Sequence, residues 1–122
     1  MEEILNKTVV VQSLKRTVGD DSLNMAEKYY SLLSAINDLH LTQREIQLIA
    51  FTAVKGNMSY ANIREDFCKR YETTSPTINN IISKLKKLGI LIKDRGKIKV
   101  RTSLLLNFNL DVTLVIKLLH ND

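Results

Sequence analysis

With 122 residues and 44% hydrophobic content, the chain can fill one compact core but not two comfortable ones. That apolar fraction excludes a disordered chain. No run approaches the roughly 18–20 apolar residues of a spanning helix, and a lone Cys68 excludes a disulfide-built secreted scaffold. The start, MEEILNKTVVV, is acidic where a signal peptide is basic, so a cytoplasmic location away from membranes is expected.

The formal net charge of +5 is unevenly spread. Residues 1–40 sum to −2, residues 41–101 to +8 and residues 102–122 to −1. Residues 84–101 alone carry Lys84, Lys86, Lys87, Lys93, Arg95, Lys97, Lys99 and Arg101 against Asp94. So dense a stripe repels itself unless an anion is near, and nucleic acid is the commonest such partner; a solvated face is the plain alternative.

In chain order, residues 7–16 favour a strand through Thr8, Val9, Val10, Val11 and Leu14. After a polar break at residues 17–21, Ser22 can cap a helix reaching about Asp38. Its inward face would be Met25, Tyr29, Leu32, Leu33 and Ile36. Thr42-Gln43-Arg44-Glu45 matches a capping box, with Ile46, Ile49, Ala50 and Ala53 on the buried side and Gly56 suited to a left-handed stop. A third helix, capped by Ser59, is expected to reach Arg70 and to turn Tyr60, Ile63 and Phe67 inward. Cys68 on it reads as a packing residue.

The next helix, residues 76–88, has Ser75 as cap, Pro76 in the first position and Gly89 as its end. At 100° per residue, Ile78, Ile81, Ile82, Leu85 and Leu88 fall within an arc of about 120°. The rest of the surface is amide, hydroxyl and ammonium. Past Gly89 the period becomes two. Residues 90–101 read as a hairpin turning at Asp94-Arg95-Gly96, with Ile98 and Val100 on one face and the basic residues together on the other.

A second polar break follows at residues 107–111. The tail fits two patterns: Val112, Leu114, Ile116 and Leu118 alternate as in a strand, while Val112, Val115, Ile116 and Leu119 suit a helix stripe. Its β-branched residues lean towards a strand beside the N-terminal one. These apolar ends would either cap the core or contact another subunit.

The expected fold is therefore α+β and mainly α. It is a single domain over residues 1–122: an N-terminal strand and helix (1–40), a winged helix-turn-helix (41–101), and a C-terminal packing or oligomerisation segment (102–122). Leu41-Thr42-Gln43-Arg44-Glu45-Ile46-Gln47-Leu48-Ile49 looks like the first helix of many bacterial winged-helix regulators. The stretch from Ser75-Pro76-Thr77-Ile78-Asn79-Asn80 through Gly89-Ile90-Leu91 resembles their recognition helix running into the wing. The style is similar to multiple-antibiotic-resistance-type repressors and to phage or plasmid replication initiators. Two features depart from those repressors: the hairpin tip is shorter, and their long dimerising helices are not evident.

Two function classes follow. The first is sequence-specific binding of double-stranded DNA in transcription regulation. Helix 76–88 would lie in the major groove, with Thr77, Asn79, Asn80 and Ser83 reading bases. Lys84, Lys87, Lys93, Arg95, Lys97 and Lys99 would contact the backbone, or Arg95 a minor groove. About five phosphate contacts imply a slope of roughly −4 to −5 in log K against log salt. The second class is a phage virion or other assembly component using the same fold and its strand-prone ends as a protein-contact module. Catalysis, a cofactor and a metal are not expected: His40 and His120 are isolated, and there is no phosphate loop or nucleophile elbow.

Overall fold

The computed structural model describes residues 7–14 and 21–119. The order of elements is β1 (Lys7–Leu14), α1 (Ser22–Ile36), α2 (Gln43–Lys55), α3 (Ala61–Tyr71), α4 (Ser75–Lys87), β2 (Leu91–Asp94), β3 (Lys97–Val100), a 3-10 turn (Thr102–Leu104) and β4 (Val112–Leu119). The fold is thus α+β and mainly helical, with two small antiparallel sheets, β1–β4 and β2–β3. The polar break at residues 17–21 falls, apart from Asp21, outside the described residues, as do Lys15, Arg16 and His120.

α2 is the central helix. The capping box forms as the sequence predicts: Glu45 N–H donates to Thr42 Oγ1 at 3.2 Å, and Thr42 N–H donates to Glu45 Oε1 at 2.8 Å. Ile46, Leu48, Ile49, Ala50 and Phe51 are buried, so this helix is apolar over most of its circumference and the others pack around it. Gly56 closes it at φ +97°, a conformation open to glycine at no steric cost.

The remaining caps each sit one or more residues from the expected place. Asp21, not Ser22, caps α1, its Oδ1 accepting the Asn24 N–H at 2.9 Å. The two residues are comparable caps, and the extended backbone at Asp21 aims its carboxylate at the first turn. α3 begins after Tyr60 without a side-chain cap of its own. Asn57 Oδ1 holds the Ser59 and Tyr60 amides at 2.9 and 3.3 Å, while Ser59 Oγ accepts the Ile98 N–H at 2.8 Å. Ser59 therefore joins this loop to β3 instead of starting a helix. Together with Met58 N–H donating to Ile98 O at 2.9 Å, it satisfies the outer edge of the hairpin. Thr74 takes the cap position of α4, and Ser75 is its first helical residue.

The buried face of α1 is rotated from the predicted stripe. Leu23, Met25, Ala26, Tyr30 and Ser34 are buried, Tyr29, Leu32 and Leu33 are half-buried, and Ile36 is exposed. A serine hid this from the apolar pattern. Ser34 Oγ accepts the Leu41 N–H at 3.3 Å, which lets a hydroxyl sit in the core. Phe108, from the loop before β4, packs on Tyr30 at 5.6 Å between ring centroids. The Phe51–Phe67 pair, at 5.3 Å, fills the other side.

The tail is a strand and lies beside the N-terminal one. β1 and β4 pair in unbroken register from Lys7↔Leu119 to Leu14↔Val112. Among the described residues, the base of this ribbon joins the core through buried Val112 and half-buried Leu14. Val9, Val11 and Val115 share one ribbon face by that register and are 53–60% exposed. The two ribbon strands thus reach the core, among the described residues, through Val112 and Leu14. No helix among the described residues is long and apolar enough to cross a membrane.

Candidate nucleic-acid interface

α4 buries Ile78, Ile81, Ile82 and Leu85, four residues on a narrow stripe, and turns its remaining circumference outward. Leu88, expected on that stripe, is exposed. The helix has ended by then, and Gly89 at φ +75° redirects the chain. Ile90 takes the buried place, its N–H donating to Leu85 O at 3.0 Å.

Thr77, Asn79, Asn80, Ser83, Lys84 and Lys87 are all exposed on α4. Their engagement differs. Thr77 and Thr74 share a hydroxyl contact of 3.1 Å. Asn79 Oδ1 accepts from Arg64 Nη1 at 2.9 Å. Lys84 Nζ lies 2.8 Å from Glu45 Oε2 and 3.0 Å from Oε1. Among the described residues, no side-chain bond engages Asn80, Ser83 or Lys87.

The Glu45–Lys84 pair was not visible in the sequence, which assigned Lys84 to a phosphate. Burial pushes the Glu45 carboxyl upward. The hydrogen bond from Lys84, the Thr42 amide and the lysine charge together outweigh burial and hold it below its ordinary value. One cation of the stripe is thereby tied to the body of the protein while remaining half-exposed.

The hairpin turns in two residues, Arg95 and Gly96, with φ of +52° and +79°. Positive φ at both positions gives the mirror-image turn whose twist matches antiparallel strands. Arg95 stands exposed at its tip. Directly opposed residues share a sheet face, so Leu91, Lys93, Ile98 and Val100 lie on one side and Ile92, Asp94, Lys97 and Lys99 on the other. The expectation that all wing cations share one face therefore fails for Lys93, which sits across from Ile98. An alternation counted in the second strand alone does not fix the first; the turn length does.

Lys97 and Lys99 are half-buried, not freely projecting. Lys97 Nζ lies 5.1 Å from the Tyr60 ring centroid, and Lys99 Nζ is 3.5 Å from Asp94 Oδ2. Tyr60 is exposed, not inward as expected. His40 is exposed beside Asp38, 3.0 Å away. No three His, Cys, Asp or Glu side chains gather among the described residues. No protein-family model, curated protein or solved structure matches the chain.

Proposed function

We propose that the protein binds double-stranded DNA in a sequence-specific way through a winged helix-turn-helix formed by residues 41–101, and regulates transcription in the cytoplasm. α4 enters the major groove and the β2–β3 hairpin, as the wing, follows the backbone. The observation that carries this reading is the uncovered outer side of α4. Asn80, Ser83 and Lys87 are exposed there and unengaged among the described residues, next to a hairpin whose tip is a cation. Asn79 and Asn80 suit base edges, and Lys87, Arg95, Lys97 and Lys99 suit phosphates. Lys84 contributes less, because its ammonium is shared with Glu45.

Titrating labelled duplex by fluorescence anisotropy at several salt concentrations tests the reading. The expected slope is about −4 to −5 in log K against log salt, and selection from random duplex should return a preferred sequence. A flat salt response overturns it.

The β1–β4 ribbon favours a second reading, an assembly component. Its face of Val9, Val11 and Val115 is the kind of surface that a monomer keeps small. A large particle of fixed mass that ignores duplex, seen by light scattering, would favour that role.

A further inference from the structure

Arg64 connects three parts of the molecule by a single line of hydrogen bonds. Met58 N–H donates to Ile98 O of the hairpin at 2.9 Å. Arg64 Nε donates to Met58 O at 3.0 Å, and Arg64 Nη1 donates to Asn79 Oδ1 at 2.9 Å. Arg64 is half-buried as a residue and its guanidinium is anchored at Nε, so the group that meets Asn79 is held by a second bond.

We propose that Arg64 is a positioning residue that decides which base Asn79 reads, an inference that rests on the DNA-binding reading above. An asparagine amide is ambivalent: its oxygen accepts, its nitrogen donates, and rotation about the last side-chain bond exchanges them. Bidentate pairing with adenine needs both halves, the oxygen for N6–H and the nitrogen for N7. At Asn79 the guanidinium removes this freedom. Turning the amide round would set Nδ2 hydrogens against the Arg64 hydrogens, donor against donor. The oxygen therefore stays on Arg64 with one of its two lone pairs taken and its direction fixed, and the two Nδ2 hydrogens are what is turned free towards the groove. Guanine, with acceptors at both N7 and O6, is the base edge that such a group fits best.

Asn80, one position on and about 100° round the helix, has no such partner among the described residues and keeps both halves for adenine. Adjacent residues of one type thus acquire different specificities from a neighbour on another helix.

Selection of bound sequences from random duplex, run in parallel on the wild type, N79A, R64A and R64K, tests this. N79A identifies the base pair under Asn79 as the one whose preference collapses. There the wild type and R64K, which retains a donor, should favour guanine. R64A should shift the guanine-to-adenine ratio at least about fivefold towards adenine while leaving preferences elsewhere unchanged, the lower end of what one good bidentate contact discriminates. If R64A does not fold, as judged by circular dichroism, R64M retains the aliphatic stem and lacks the donors, and the same shift is expected. An unchanged ratio in the donor-less variant, or a uniform loss of affinity with the ratio preserved, overturns the inference. A wild type that selects no sequence at all overturns the DNA reading beneath it.

Discussion

Glu45 is nearly buried yet stays charged, and three contacts explain why: the Thr42 amide, the Thr42 hydroxyl that caps the same turn, and Lys84. Its carboxyl titrates lower in the folded chain than its ordinary 4.5. Its contribution to stability is therefore complete above that unfolded value and is lost as pH falls through the lower folded one. Thermal unfolding followed from pH 7 to pH 3 should show a steeper acid loss in the wild type than in E45Q. T42A, which removes the cap, should cost about 1 kcal/mol at pH 7 by denaturant titration. The same pair separates two lysines that look equivalent in the sequence: K87A should weaken duplex binding more than K84A, read as affinity at fixed salt. Nothing in the spacing of residues 39 apart announces that Lys84 has a partner.

At the scale of elements, the parts written in local chemistry were legible. The capping box at Thr42, the glycine stop of α2, the Ile78, Ile81, Ile82 and Leu85 part of the α4 stripe and the presence of a hairpin around Arg95-Gly96 all follow from neighbours within a few positions. What depended on a distant partner was not. Ser59 reads as a cap because serine usually is one, and only β3, arriving 39 residues later, claims its hydroxyl. Ser34 is absent from the predicted inward face of its helix and is buried. The side that Lys93 takes is set by the turn length, which alternation within one strand does not contain. Two substitutions test the turns. G89A forces a Cβ onto a residue at φ +75°, where it meets Arg101 Nη2 at 3.0 Å. A cost of about 1–2 kcal/mol is expected from the backbone alone, since the arginine can move. R95N places a residue tolerant of positive φ in the turn and should stabilise the fold slightly, by about 0.5 kcal/mol, while weakening duplex binding through the lost cation. Chemical denaturation and anisotropy separate the two effects.

At the scale of the molecule, a core among the described residues gathers α1 to α4, the hairpin and the base of the ribbon. Further along the ribbon Val9, Val11, Val115 and Leu118 are exposed, while Val10, Leu114 and Ile116 are half-buried. V112A should therefore cost about 1–2 kcal/mol, the loss of two buried carbons, while V11T or V115T should change stability by less than about 0.5 kcal/mol. Equal costs in a denaturant series would mean that the ribbon packs along its length. The pairing of β4 with β1 was legible because both runs are β-branched and lie at opposite ends of one small domain. How little of that pairing reaches the core was not legible, since exposure depends on where the helices stop.

The step from α4 to β2 is only Leu88, Gly89 and Ile90, and Ile90 is bonded at both ends, to Leu85 through its amide and to the Arg101 amide through its carbonyl at 2.9 Å. Helix and hairpin are thus welded without a hinge. On the proposed DNA-binding reading, a duplex lying across both would meet a rigid die, and any mismatch in curvature would be absorbed by the nucleic acid. Selection from random duplex should then favour easily kinked pyrimidine–purine steps between the stretches that helix and hairpin would contact.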